Sequence, residues 1–169
     1  MKVSVIGLGY IGLPTAALIA SKKINVIGID VNHLIVDTIN NARIHIVEPN
    51  LENLVKASVE SGYFIASDTV EKADVFLVTV PTPFKGHNKP DLSFIELAIK
   101  NIAPNLEQGN LIILESTSPV GSTEKIRDLL MDLRPDLTFP DEKNQDDCDI
   151  SLAYCPERVL PGNILNELV

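Results

Sequence analysis

No stretch of this sequence is apolar for long enough to predict a membrane span. Its uninterrupted hydrophobic runs stop well short of the ~20 residues that a helix needs to cross a bilayer. Lys2 is followed at once by a glycine-interrupted strand pattern, whereas a secretory signal peptide continues from its cation into an apolar core. We therefore expect no membrane partner and no secretory leader.

Basic residues are also scarce. The chain has 14 lysines and arginines against 23 aspartates and glutamates, which gives a formal net charge of −9 at pH 7. Binding to a phosphate backbone requires a basic surface, so nucleic acid is not an expected partner. Any anionic ligand has to be held by local dipoles.

Signals for a disulfide framework or a metal site are weak. Only two cysteines are present, Cys148 and Cys155, and their sequence contexts do not match, so we expect reduced thiols and a cytoplasmic location. Carboxylates crowd residues 135–149, but their spacing matches no calcium-binding loop. We predict a mobile surface excursion there, and no metal.

The chain does carry a glycine-rich turn near its start. Residues 3–6 have an apolar strand pattern, residues 7–12 read Gly-Leu-Gly-Tyr-Ile-Gly, and small apolar residues at helical spacing follow. Gly7 permits a tight turn, Gly9 lets the backbone approach a pyrophosphate, and Gly12 lets the helix pack closely on the strand. The pattern predicts a dinucleotide site, with a glycine-rich turn that binds nothing as the alternative.

The ligand expected at this turn is NAD. No lysine or arginine occurs between residues 3 and 21, so the phosphates would be held by the N–H groups and the dipole of the helix N-terminus. Asp30 ends the second strand, where a carboxylate accepts hydrogen bonds from the adenosine ribose. It would repel the 2′-phosphate of NADP, and neither Val31 nor Asn32 offers a compensating cation.

Further apolar runs predict five more strands and thereby the fold class. The runs lie at residues 24–29, 64–66, 75–80, 111–114 and 150–154, with helical patterns between them. Asn32 is predicted to cap one helix, and Ser93 with Glu96 to form a capping box at another; residues 44–49 carry no clear pattern. The alternation predicts one α/β domain of the Rossmann type, a doubly wound parallel sheet with strand order 3-2-1-4-5-6.

Polar residues follow the fourth, fifth and sixth predicted strands. Thr82 comes after Val80 and Pro81, Thr117 follows the fifth strand and Glu157 the sixth. In the predicted order these strand ends meet the glycine turn at one edge, where open α/β sheets bind ligands. We predict a cofactor site and one wall of a substrate site. The alternatives are a plain loop hydroxyl at Thr82, and a Glu157 that pairs with Arg158 or anchors a loop.

Six ordered motifs resemble the N-terminal NAD-binding domain of the UDP-glucose/GDP-mannose dehydrogenase family. They lie at residues 5–14, 30–32, 48–51, 80–83, 115–121 and 156–158. Within the family, residues 154–162 are most similar to UDP-N-acetyl-D-mannosamine dehydrogenases. UDP-glucose dehydrogenases usually have Phe and a second Glu where this chain has Arg158 and Pro161, which weakens a glucose interpretation.

The resemblance implies an activity and a set of roles. Such enzymes oxidise the C6 alcohol of a nucleotide sugar to the carboxylate, here UDP-N-acetyl-D-mannosamine for surface polysaccharide synthesis, and reduce two NAD molecules through a cysteine-bound thiohemiacetal. By this likeness Thr117 and Glu157 are catalytic, and Glu157 and Arg158 bind the substrate. The implied cofactor-binding residues are Gly7, Gly9, Tyr10, Ile11, Gly12, Asp30, Val80, Pro81, Thr82 and Thr117.

The family's nucleophilic cysteine belongs to a region beyond residue 169. Cys155 precedes a proline and has no histidine nearby to activate it, so we expect a packed thiol. We therefore expect an N-terminal fragment, residues 1–169, that lacks the substrate-binding domain and binds NAD without turnover. The full-length enzyme is expected to be a homodimer or a higher oligomer, formed through a later helix.

Several alternative interpretations are compatible with the sequence. The sugar could instead be UDP-glucose or UDP-N-acetylglucosamine. A non-catalytic NAD-sensing module would need only residues 7–30, and a hydroxyacid dehydrogenase or an FAD-binding domain would share the glycine motif. The loop at residues 84–90 could be a lid or a solvated surface loop.

Overall fold

Six parallel strands form the central sheet of the computed structural model, which describes residues 1–86, 89–141, 147–160 and 162–168. The strands of the chain are β1 Lys2–Ile6, β2 Asn25–Ile29, β3 Phe64–Ser67, β4 Val75–Val78, β5 Phe84–Lys85, β6 Lys89–Pro90, β7 Leu111–Leu114 and β8 Ser151–Tyr154. The order in the six-stranded sheet is β3-β2-β1-β4-β7-β8, which confirms the predicted Rossmann-type sheet. The last two numbers differ from the prediction because a separate two-stranded hairpin, β5-β6, lies between β4 and β7 in the chain.

Helices cover both faces of the sheet. They are α1 Gly12–Ser21, α2 His33–Asn40, α3 Leu51–Glu60, α4 Ser93–Ile102, α5 Ser122–Leu133 and α6 Ile164–Glu167, with a 3₁₀ turn at Ala103–Asn105. Alternate residues of the strands divide between two apolar clusters, one packed with α1, α2 and α3 and the other with α4 and α5. This division explains why the central strands read as continuous apolar runs, since both of their faces are buried.

Helix starts were predicted correctly at one position and wrongly at another. The Asn32 side chain accepts a hydrogen bond from the Leu34 N–H at 3.0 Å, as a cap of α2 should. The capping box of Ser93 and Glu96 does not form, because Ser93 is already the first residue of α4. The Asp91 carboxylate takes its place by accepting the Ser93 N–H at 3.0 Å.

The predicted loop at 84–90 contains the β5-β6 hairpin. Lys85 Nζ lies 2.6 Å from an Asp91 carboxylate oxygen, and hydrogen bonds from Lys85 and from Ser93 lower the pKa of Asp91 to about 2. The hairpin is therefore joined to the start of α4 by a charge pair. Residues 87 and 88 lie outside the described part, so the choice between a lid and a surface loop stays a prediction.

Hydrogen bonds between Thr138 and Asp149 join the two ends of the acidic segment at residues 135–149. Thr138 N–H and Oγ1 both donate to the Asp149 carboxylate, at 2.8 and 2.7 Å. Residues 142–146 of this excursion lie outside the described residues. Within the described part of the chain, no group of three or more potential metal ligands occurs, and no helix is long and apolar enough to cross a membrane.

Asn40 completes an exposed edge of the sheet. Strand β3 is an edge strand, so one side of its backbone has no neighbouring strand. Asn40 Nδ2 donates to the Ala66 carbonyl at 2.9 Å, and Asn40 Oδ1 accepts the Ala66 N–H at 2.8 Å. The side-chain amide therefore supplies the two hydrogen bonds that a further strand would make, and it blocks edge pairing at this point.

We expect Asn40→Ala to lower the free energy of unfolding by about 1–2 kcal/mol, because two backbone groups of β3 lose their partner. Chemical denaturation measures the change. Asn101→Ala is the matched control, since Asn101 is exposed on α4 and only its backbone carbonyl accepts a hydrogen bond. Equal stability of the two variants would contradict this role of Asn40.

Candidate cofactor and catalytic site

The glycine turn is held by direct backbone contact. Gly7 has φ +97°, which favours glycine, and its N–H donates to the Ile29 carbonyl at 2.8 Å. A Cβ on Gly12 would lie 1.8 Å from the Gly7 carbonyl oxygen and 2.4 Å from Thr79 Oγ1, so no side chain fits there. Close approach at Gly12 is therefore required by the fold, as the sequence predicts.

Thr79 joins the end of β4 to this turn. Its Oγ1 lies within hydrogen-bond distance of the Gly7 carbonyl, 2.7 Å, and of the Ile6 carbonyl, 3.0 Å. Sequence patterns did not single out Thr79 as a site residue. Its signal is a hydroxyl inside an otherwise apolar strand pattern, next to the strand's carboxyl end.

An open cradle lies beside the turn. A Cβ on Gly9 would meet no atom within 4 Å. No side chain caps the N-terminus of α1, and its first turn carries no acidic residue. Tyr10 and Ile11 follow Gly9 directly in the chain; Tyr10 is exposed and Ile11 is half-buried. An uncapped helix start beside an open glycine can accept an anionic group such as a pyrophosphate.

Asp30 is fixed in place by two backbone groups. One carboxylate oxygen accepts the Leu8 N–H at 3.0 Å, and the other accepts the Asn32 N–H at 2.9 Å. Each oxygen keeps a second lone pair, so the carboxylate can still accept hydrogen bonds from ribose hydroxyls. The anchoring also ties the glycine turn to the end of β2.

His45 is hydrogen-bonded to the Leu8 backbone and feels the charge of Asp30. It was not predicted because residues 44–49 show no clear sequence pattern. Partial burial lowers the pKa of His45, opposed by the charge of Asp30 and by a hydrogen bond with the Leu8 backbone. A lowered pKa leaves the imidazole neutral at pH 7. The corner therefore gains no cation that would favour a 2′-phosphate.

The loops after β4 and β7 are joined by side-chain hydroxyls. Thr82 Oγ1 donates to the Thr117 carbonyl at 2.5 Å, and Ser116 Oγ donates to the Val80 carbonyl at 2.6 Å. Val80 is half-buried, whereas Pro81 and the Thr117 side chain are exposed. The structure thus brings together Thr82 and Thr117, as expected from parallel neighbouring strands.

Two glutamates follow neighbouring strands, Glu115 after β7 and Glu157 after β8. Glu115 is only 8% exposed, and its Oε2 has no hydrogen-bond partner among the described residues. Burial raises the pKa of Glu115 to about 7, and the negative charge of Glu157 adds to this shift. The sequence signal for Glu115 is an acid placed directly after a buried strand, which sequence patterns alone did not single out.

Glu157 does not pair with Arg158 in the described part of the chain. Its Oε2 accepts the Val159 N–H at 2.9 Å, and the structure shows no ion pair to the exposed Arg158. Cys155 is exposed, so the expectation of a packed thiol is wrong. The reason is that β8 is the other edge strand, which leaves the residue after it uncovered. Pro161 lies outside the described residues.

A buried carboxylate holds the segment that follows Glu157. Glu48 is 6% exposed and accepts the Gly162 N–H at 2.8 Å and the Ile164 N–H at 2.7 Å. The second of these is the first residue of α6. Glu48 lies in the same short segment as His45, so this segment contacts both the glycine turn and the chain beyond Glu157.

We expect Glu48→Gln to speed amide hydrogen exchange at Gly162 and Ile164 by roughly tenfold or more, since a carboxamide has only one acceptor oxygen and a lost hydrogen bond costs about 1–2 kcal/mol. Hydrogen exchange followed by NMR measures both amides. Glu52→Gln, an exposed acid in the first turn of α3, is the control. If both variants exchange at the wild-type rate, Glu48 does not hold this segment.

Comparison with known proteins assigns the family. The UDP-glucose/GDP-mannose dehydrogenase family, NAD binding domain, matches residues 1–169. The chain is 57% identical over 167 residues to the UDP-N-acetyl-D-mannosamine dehydrogenase of Escherichia coli K12, covering 99% of this chain and 40% of that protein. It is also 57% identical over 167 residues to the NDP-N-acetyl-D-galactosaminuronic acid dehydrogenase of Ralstonia nicotianae, covering 99% of this chain and 39% of that protein.

A solved structure agrees with these matches. The UDP-N-acetyl-mannosamine dehydrogenase Cap5O from S. aureus superposes with a TM-score of 0.91 at 38% identity, covering 100% of this chain and 39% of that chain. The chain thus spans about 40% of the length of the curated relatives that it matches. It belongs to the UDP-glucose/GDP-mannose dehydrogenase family, in which it corresponds to the NAD-binding domain.

Proposed function

We propose that this chain is the NAD-binding part of a nucleotide-sugar 6-dehydrogenase that oxidises UDP-N-acetyl-D-mannosamine to the uronate. The reaction converts one primary alcohol, two NAD⁺ and one water into one carboxylate, two NADH and three protons. NAD⁺ supplies the hydride acceptor, and the protein binds, orients and moves protons. The observation that carries the proposal is the open Gly9 cradle on the same sheet edge as Thr82, Thr117 and Glu157.

The adenosine half of the cofactor is assigned to the first βαβ unit. The uncapped start of α1 would hold the pyrophosphate beside Gly9, and Asp30 would accept the ribose hydroxyls. A neutral His45 does not offset the repulsion between Asp30 and a 2′-phosphate. This arrangement supports a preference for NAD over NADP.

The nicotinamide half is assigned to the other strand ends. Val80, Pro81 and Thr82 would line its position, since the hydrogen bond between Thr82 and Thr117 closes the space between the two loops. Thr117 presents an exposed side chain toward solvent, where it would orient a substrate hydroxyl or a water. Glu157 is half-buried and follows β8, the strand next to β7. It would exchange the protons of the reaction.

The proposed substrate is an N-acetylated amino-sugar nucleotide. Two relatives with equal identity to this chain carry names that specify N-acetyl amino-sugars. Arg158 is exposed and makes no ion pair in the described residues, so it is available for an anionic or polar substrate group. UDP-glucose and UDP-N-acetylglucosamine are the competing substrates, and pure NAD sensing is the competing function.

Further parts of the proposal concern the longer protein. The nucleophilic cysteine and the substrate-binding domain would lie beyond residue 169, so the chain alone would bind NAD without turnover. The full-length enzyme would be a homodimer or a higher oligomer in the cytoplasm, where nucleotide sugars for surface polysaccharides are made.

We expect Gly9→Ala to fold normally but to bind NAD at least about tenfold more weakly, a loss of about 1.4 kcal/mol. The new methyl group meets no protein atom, yet it occupies the space proposed for the pyrophosphate. Isothermal titration calorimetry measures the affinity. In Gly12→Ala the methyl group would clash with the Gly7 carbonyl, so that variant should lose about 3 kcal/mol or more of folding stability. Unchanged NAD affinity in folded Gly9→Ala would contradict the cradle assignment.

The substrate is tested with the full-length protein and a panel of UDP-sugars and GDP-mannose. We expect NADH formation with UDP-N-acetyl-D-mannosamine, at two NADH per sugar, and at least about a hundredfold lower kcat/KM with UDP-glucose. Faster oxidation of UDP-glucose would replace the proposed substrate. Intact NAD binding without oxidation of any sugar in the panel would support NAD sensing instead.

A further inference from the structure

Glu48 joins two segments that lie far apart in the sequence. The residue is 6% exposed, and each of its carboxylate oxygens accepts one backbone N–H, Oε2 from Gly162 at 2.8 Å and Oε1 from Ile164 at 2.7 Å. Ile164 is itself fully buried. A buried carboxylate requires such partners because its desolvation is costly. The carboxylate and the backbone that it binds therefore hold each other in place.

The backbone that Glu48 binds is the continuation of the chain after Glu157. Strand β8 is an edge of the sheet, and β7 and β4 lie between it and β1. Helix α6 nevertheless contacts α1, and Leu165 packs against the apolar cluster of α1, α2 and α3. The chain beyond Glu157 therefore returns from the edge of the sheet to the half that carries the glycine turn, across three strand spacings or about 14 Å.

Two other carboxylates give this returning chain its local shape. The Val159 N–H donates to Glu157 Oε2 at 2.9 Å, and the Leu160 N–H donates to Glu167 Oε2 at 2.7 Å. These bonds join residues two and seven positions apart, so they fold the returning chain on itself. The two bonds to Glu48 span 114 and 116 positions, so they join it to the other half of the domain.

The segment at residues 44–48 packs on the glycine-turn half of the domain. Ile46 is 7% exposed and belongs to the same apolar cluster as Leu8, which lies within the turn. The Leu8 N–H donates to Asp30 at 3.0 Å. Leu51, the first residue of α3, is fully buried in that cluster as well. The chain is thus fixed both before and after the buried carboxylate of this segment.

We propose that Glu48 is a positioning residue of the dehydrogenase, because its carboxylate joins the chain beyond Glu157 to the glycine-turn half and thereby sets where the Glu157 carboxylate lies relative to the cofactor. The inference rests on the proposed function, in which each oxidation step moves a hydride from carbon to NAD⁺ and a proton from oxygen to Glu157. Glu48 acts through the backbone and contacts neither reactant in this scheme. A misplacement of about 1 Å can cost about a hundredfold in rate.

A glutamine at position 48 weakens this link without removing any side-chain volume. Both oxygens of the carboxylate accept hydrogen bonds, whereas a carboxamide has one acceptor oxygen and one NH₂ group that donates. In either orientation of the carboxamide, the NH₂ group faces a backbone N–H that also donates, so one of the two bonds is lost. Glu48→Gln should therefore loosen the returning chain while the core stays packed.

Amide hydrogen exchange in this protein tests the link without any substrate. The Val159 N–H is the reporter, since it donates to the Glu157 carboxylate. In Glu48→Gln we expect Val159 to exchange at least about fivefold faster, whereas Glu52→Gln, an exposed acid in the first turn of α3, should keep the wild-type rate. An unchanged rate at Val159 in Glu48→Gln would overturn the proposal, because Glu48 would then hold α6 and not Glu157.

The wild-type protein provides the same test should Glu48→Gln not fold. At low denaturant concentrations we expect the amides of Val159, Gly162 and Ile164 to open together, with one common free energy, as a single unit. Opening of Val159 at a clearly lower free energy than Ile164 would overturn the proposal, since Glu157 would then move independently of the residues that Glu48 binds.

The full-length enzyme supplies the second arm. With UDP-N-acetyl-D-mannosamine we expect Glu48→Gln to lower kcat at least about tenfold, while NAD affinity and stoichiometry stay within about twofold of wild type. Loss of folded protein would lower the NAD stoichiometry together with kcat, so the separation distinguishes positioning from instability. A wild-type kcat in Glu48→Gln would contradict the proposal. If the wild-type protein oxidises no sugar, the proposed function fails, and exchange at Val159 alone decides whether Glu48 positions Glu157.

Discussion

The close backbone approach between the start of α1 and the end of β1 is the contact on which the site depends. At Gly12 there is no room for even one methyl group, because the Gly7 carbonyl and the Thr79 hydroxyl occupy that space. Thr79, which follows β4, donates a hydrogen bond to the Gly7 carbonyl, and the Leu8 N–H donates one to Asp30. The glycine turn, Asp30 and the strand that leads to Thr82 are thus one connected unit, so a backbone shift at Gly12 would displace all three.

The buried carboxylates of this fold compensate for the cost of desolvation in different ways. Glu48 offsets its desolvation with two backbone N–H groups and thereby fixes the start of α6. Asp91 does so with Lys85 and the start of α4, and its pKa falls accordingly. Glu115 has no comparable partner among the described residues, so its pKa rises instead. The first two act as structural anchors, whereas the third keeps a proton available at the strand ends that form the candidate site.

Local sequence patterns predicted the sheet and the cofactor turn well. Apolar runs for strands covered on both faces, the Asn32 cap and the spacing of Gly7, Gly9 and Gly12 each depend on neighbouring residues, so they could be read directly. Contacts between distant residues could not. The contacts of Asn40 with Ala66 and of Glu48 with Gly162 form only once the strand order is set. The capping box at Ser93 failed for a related reason, since Asp91 competes for the same N–H.

The raised pKa of Glu115 also bears on how this acidic chain would bind anionic ligands. The chain carries a net charge of −9, and NAD and the proposed nucleotide sugar would both bring phosphates to a sheet edge that already holds Asp30 and Glu157. Under the proposed function Asp30 would accept hydrogen bonds from ribose hydroxyls, and Glu157 would accept a proton. A third ionised carboxylate at Glu115 would add repulsion, and its Oε2 has no hydrogen-bond partner among the described residues; burial raises its pKa to about 7 and so disfavours that charge. The helix dipole of α1 and the guanidinium of Arg158 would then hold the proposed phosphates against a smaller opposing field.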